Sequence, residues 1–68
     1  MEQNVGRYMV NVWDGNKLHF GRTYSAYGWA LRAAQRMTSE GMRWEIKVRT
    51  WRPEFGCWGW ETAYQGAA

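Results

Sequence analysis

Residues 43–60 read Arg43-Trp44-Glu45-Ile46-Lys47-Val48-Arg49-Thr50-Trp51-Arg52-Pro53-Glu54-Phe55-Gly56-Cys57-Trp58-Gly59-Trp60. Their pairing decides both the fold and the surface it presents. Trp44, Ile46 and Val48 alternate with Arg43, Glu45, Lys47 and Arg49, so the run is a strand with one buried and one wet face. Pro53-Glu54-Phe55-Gly56 interrupts it as a turn. A last strand follows from about Cys57 to Tyr64. With 53–56 as the loop, Arg52 lies opposite Cys57, Trp51 opposite Trp58, Thr50 opposite Gly59 and Arg49 opposite Trp60. Directly paired residues share a sheet face. Trp58 and Trp60 then join Trp51, Arg49, Lys47 and Arg43 on the wet side, and Trp13 and Arg7 extend that surface. The competing reading is a slip of one residue, which sends Trp58 and Trp60 into the core. Guanidinium groups over indoles also stabilise small proteins that have no partner.

Upstream, Tyr8, Val10 and Val12 alternate with Arg7, Met9, Asn11 and Trp13, a period-two pattern that predicts a strand. Asp14-Gly15 turns the chain. Lys17 to Arg22 returns it as a second strand, with Leu18 and Phe20 expected inward. A helix follows. Ser25 is the expected N-cap, with Thr23 as the alternative. Ala26, Ala30, Ala33 and Met37 form a small-residue stripe flanked by Trp29 and Ala34, while Arg32, Gln35 and Arg36 lie towards the opposite side. Gly28 weakens the first turn by about 1 kcal/mol relative to alanine, and Gly41 reads as the C′ residue. The order strand–strand–helix–strand–strand predicts an α+β fold: an antiparallel sheet of about four strands (ββαββ) with one helix packed on one face. Residues 1–68 make one domain, with 1–5 and 65–68 expected to be frayed.

Composition narrows the function. The chain has 68 residues, and six of them are tryptophan. Tryptophan is rarely fully buried and is enriched where proteins touch partners. The aliphatic stock is thin (Val5, Val10, Val12, Leu18, Leu31, Ile46 and Val48), so aromatics, methionines and helix alanines must complete the core. Nine Lys+Arg against six Asp+Glu give a net charge of +3. That mild excess permits nucleic acid or an acidic protein surface and demands neither. One cysteine excludes an internal disulfide, and one Cys with one His supplies no metal-ligand cluster. The start Met1-Glu2-Gln3-Asn4 has no basic or apolar leader character, and no apolar run reaches the length of a membrane span. A cytoplasmic protein is expected.

Nothing reads as catalytic. His19 has no nucleophile or orienting acid in a recognised arrangement, and an outward strand histidine is its plain reading. Cys57 next to basic residues could be a reactive thiol, against the plainer reading of a small packed residue. Glu2, Asp14, Glu40, Glu45, Glu54 and Glu61 are scattered and pair for neither acid–base work nor cation binding. Gly56 and Gly59 precede no helix and so form no phosphate loop; they read as a turn and as a spot where an indole packs over bare backbone. Arg32 and Arg36, one helical turn apart, solvate a helix face or meet an acidic partner.

From Arg7 to Arg52 the layout resembles small phage-encoded inhibitors of host RNA polymerase, in which a strand–strand–helix–strand core ends in a basic strand. Small anti-CRISPR proteins are similar in length and element order. The likeness lies in size and topology, and it transfers no functional residue. This chain departs from those families in its tryptophan content and its second C-terminal strand. The resemblance implies a non-enzymatic phage or mobile-element protein, in the host cytoplasm, that blocks a nucleic-acid-handling complex.

The expectation is therefore a binding protein that docks a basic–aromatic face made by Trp51, Trp58, Trp60, Arg43, Lys47 and Arg49. Its partner is a host protein or nucleoprotein complex, with no cofactor, metal or membrane involved. Two alternatives use the same face. One is binding of single-stranded nucleic acid, and the other is a homodimer that buries the face against itself.

Overall fold

Gly15 takes φ 65°, and the two-residue turn at 15 and 16 joins Tyr8–Asp14 (β1) to Lys17–Tyr24 (β2). The remaining elements are helix Tyr27–Met37 (α1) and strands Arg43–Arg52 (β3) and Cys57–Ala67 (β4). This computed structural model describes residues 6–67; Val5 and the expected fraying of 1–5 lie outside them. The four strands form one antiparallel sheet in the order β2-β1-β3-β4. The α+β ββαββ architecture is thus the one the alternation implied.

The helix lies across one face. Val10, Val12 and Ile46 are its fully buried large side chains, and they meet Ala30 and Ala34. Alanines let the helix approach the sheet closely. Tyr8, Phe20, Tyr24, Tyr27, Leu31, Met37, Met42 and Trp44 close around this centre. α1 packs on β1, β3 and β2, while Tyr27 reaches over β4 to Tyr64, ring centroids 4.7 Å apart. The thin aliphatic stock is completed by aromatics, methionines and alanines, as expected.

Several local expectations give way. The helix cap is Ala26, with no side-chain cap hydrogen bond, rather than Ser25 or Thr23. The first helical bond runs from Ala30 N–H to the Ala26 carbonyl, which leaves Ser25 one position too early. Tyr27 and Leu31 take the inward places assigned to Ala26 and Trp29, and Trp29 is 62% exposed. The helix ends at Met37 with Thr38 as its cap. Gly41, at φ 88°, instead serves the turn closed by Met42 N–H on the Ser39 carbonyl.

Leu18 is not inward either. A register shift between Val12 and Trp13 pairs Val12 with Phe20 but Trp13 with Leu18. His19 is the extra residue of a bulge, and Leu18 turns to the helix-free face, 49% exposed. At the far end, β4 continues as strand through Gln65 and Gly66 to Ala67, where fraying was expected. Gly66 explains part of this: Trp44 lies on it so closely that an added Cβ would stand 2.7 Å from the indole.

Candidate functional site

The hairpin Pro53-Glu54-Phe55-Gly56 fixes the register on which the helix-free face depends. Phe55 N–H bonds the Arg52 carbonyl, Gly56 N–H bonds the Pro53 carbonyl, and Gly56 takes φ 64°. Arg52 then pairs with Cys57, Trp51 with Trp58, Thr50 with Gly59 and Arg49 with Trp60. This is the register expected from the loop length. The slipped alternative, with Trp58 and Trp60 in the core, does not occur.

All six expected site residues lie on the helix-free face, but they do not form one cluster. At the hairpin end, Trp51 and Trp58 meet edge-to-face with centroids 5.4 Å apart. They are 47% and 55% exposed. The Arg49 guanidinium stands 4.5 Å from the Trp58 ring centre, within cation–π range. Trp60 is half-buried opposite Arg49. Lys47 sits in the middle of the face, between Met9 and Thr62. Arg43 belongs to the other end, eight residues or about 26 Å along the strand from Trp51. There it stacks on Trp13, 5.4 Å from the ring centre, beside Leu18.

Glu45 organises the ground between the two ends. Its carboxylate accepts hydrogen bonds from Trp13 Nε1 at 2.9 Å, Asn11 Nδ2 at 3.2 Å and Thr62 Oγ1 at 3.4 Å. Residues from β1 and β4 thereby converge on one β3 side chain. Partial burial alone would raise the Glu45 pKa; the bonds from Trp13, Asn11 and Thr62 and the charge of Lys47 outweigh it and hold the group below its ordinary value. The sequence reading treated Glu45 as one of several scattered acids. Its alternation with Arg43 and Lys47 places it on this face, and pairing of β1 with β3 makes Asn11 its direct neighbour.

The opposite face of the hairpin carries a second polar contact. Arg52 pairs with Glu61 at 3.3 Å, lying across Gly59, where an added Cβ would stand 2.7 Å from Arg52 Nε. An arginine stem, not an indole, occupies the space over Gly59. The indole packed over bare backbone is Trp44 on Gly66. Cys57, expected to be packed, is exposed beside this hairpin. Sequence reasoning also missed Trp29, which carries Arg32 over its ring at 5.5 Å on the outer side of α1, and Phe55, exposed at the hairpin tip.

Among the described residues no three metal-binding side chains gather, and no helix is long and apolar enough to cross a membrane. Comparison with protein-family models, curated proteins and solved structures found no match.

Proposed function

We propose that this chain is a non-enzymatic binding protein that docks the hairpin end of its helix-free face on a larger partner. The observation that carries this reading is the half-exposed Trp51–Trp58 pair with Arg49 stacked upon it. Tryptophan and arginine are the residue types that most often dominate binding energy at protein interfaces. Contiguous apolar surface of this kind on a small domain marks interaction sites. Arg43, Lys47 and Arg49 outnumber the one carboxylate among them, Glu45, and give the face a positive cast. An acidic groove on the partner complements it. The resemblance of layout to small phage inhibitors extends the proposal: the groove is one that normally engages nucleic acid, on a host complex, and inhibition is steric.

The same stacked Arg49–Trp58 pair favours one second reading, direct binding of single-stranded nucleic acid, with bases on the indoles and phosphates on the cations. Affinity capture from host lysate, with and without nuclease, separates the two. A defined protein complex that survives nuclease supports the first reading. Nucleic acid recovered alone, with affinity falling log-linearly with salt, supports the second and sinks the first. Trp58→Ala is expected to abolish capture while changing stability by less than about 1 kcal/mol, because the ring is more than half exposed. Loss of the fold in that variant would contradict the surface role.

A further inference from the structure

The sheet order leaves the far edge of β4 without a neighbour among the described residues. Such an edge presents main-chain donors and acceptors to any strand that can approach. The two outer strands differ in how they manage this. β2 places Lys17 and Arg22 along eight residues, with its bulge at His19. Cations and bulges are common protections of an edge. β4 has eleven residues and one charged side chain, Glu61. Its bulge falls at Ala63, between the pairs Ile46–Tyr64 and Lys47–Thr62. Residues 57–62 therefore run as an uninterrupted edge with a single charge.

We propose that β4 pairs antiparallel with β4 of a second copy about a two-fold axis through Trp60. Pairing follows from the pleat. A two-fold that reverses the strand and continues the sheet stands normal to it, and directly opposed residues share a face. The axis must then pass through a residue, and the middle of the straight segment offers Gly59 or Trp60. With Gly59 on the axis, the two Arg52 side chains, each lying across its own Gly59, would be driven together. With Trp60 on the axis, Glu61 faces Gly59 of the second copy, beneath that copy's Arg52. Each guanidinium then gains a second carboxylate beside the one it already holds. Charge selects the Trp60 axis. The sheet becomes eight strands wide, and both helix-free faces lie on the same side as one double-width surface. This dimer leaves that face open, unlike one that buries it, and it holds whatever the face binds.

The experiment combines sedimentation equilibrium over a concentration series with one engineered thiol. In this register position 60 of one copy faces position 60 of the other, within disulfide reach, while the two native Cys57 residues lie about 20 Å apart. Trp60→Cys carrying Cys57→Ser is expected to give a covalent dimer on a non-reducing gel after mild oxidation. Wild type is not, and neither is Trp58→Cys carrying Cys57→Ser, whose two thiols would stand about 13 Å apart. Glu61→Arg, with its fold checked by circular dichroism, is expected to raise the concentration for half-dimerisation about tenfold or more. A mass of 8.1 kDa at every concentration overturns the proposal. So does a dimer that Trp60→Cys carrying Cys57→Ser fails to link, or one dissolved by Trp51→Ala and indifferent to Glu61→Arg.

Discussion

Glu45 ties three strands together on a face that is otherwise open. Its carboxylate takes bonds from Trp13, Asn11 and Thr62, and its pKa lies below the ordinary value. A group with a depressed folded pKa contributes stability that is complete above its unfolded pKa, about 4.3 for glutamate, and is lost as pH falls through the lower folded value. Urea titrations are expected to show stability falling across that acid window. Glu45→Gln is expected to flatten that part of the profile and cost about 1–2 kcal/mol at neutral pH. An unchanged slope would remove Glu45 from this role. Two glycines supply a contrast. An added Cβ at Gly66 meets the half-buried indole of Trp44, and one at Gly59 meets the flexible stem of Arg52. Gly66→Ala is expected to cost about 1–3 kcal/mol, because a packed ring cannot step aside. Gly59→Ala is expected to cost less than the Gly66 change in the same melt, because Arg52 can swing into solvent.

At the scale of elements, the helix start is under-specified. Ala26 occupies the cap position and offers no acceptor to the free N–H groups of the first turn. Ala26→Ser is expected to stabilise the protein by about 0.5–1 kcal/mol, and Ser25→Ala to change little; thermal melts of both variants test the assignment. Strands were more legible in the sequence than this cap. The alternation from Arg43 to Val48 placed one face, and the four-residue loop at 53–56 fixed the partner of every residue from Arg49 to Arg52. Both are local signals whose period survives folding. The bulges at His19 and Ala63 have no such signal, because an extra residue in a ladder is defined only against the strand it fails to match. That is why Leu18 was assigned inward. Trp29 was misplaced for a related reason: with the helix starting at Tyr27, the inward stripe rotates onto Tyr27 and Leu31. The candidate site was legible as a face but not as clusters, since Arg43 and Trp51 share a side of β3 yet stand at its two ends.

The described residues span 39 × 22 × 16 Å, and among them only Val10, Val12 and Ile46 are fully buried large side chains. A core of this size supplies a stability of roughly 3–5 kcal/mol. Ile46→Ala, at about 2–5 kcal/mol, is expected to leave little folded protein, whereas Ile46→Val, at about 0.5–1.5 kcal/mol, should still show a cooperative denaturant transition. A fully cooperative Ile46→Ala variant would mean that the aromatic rim, rather than this centre, holds the fold. The helix covers the middle of the sheet and leaves the last hairpin to its own contacts. There the edge-to-face pair Trp51–Trp58 has a spectroscopic consequence. Two indoles so close and so steeply inclined couple their electronic transitions, which superimposes an exciton couplet on the far-ultraviolet signal of the backbone. Helix and strand content deconvoluted from such a spectrum would be in error, and the couplet itself would report, ring against ring, whether the hairpin is closed.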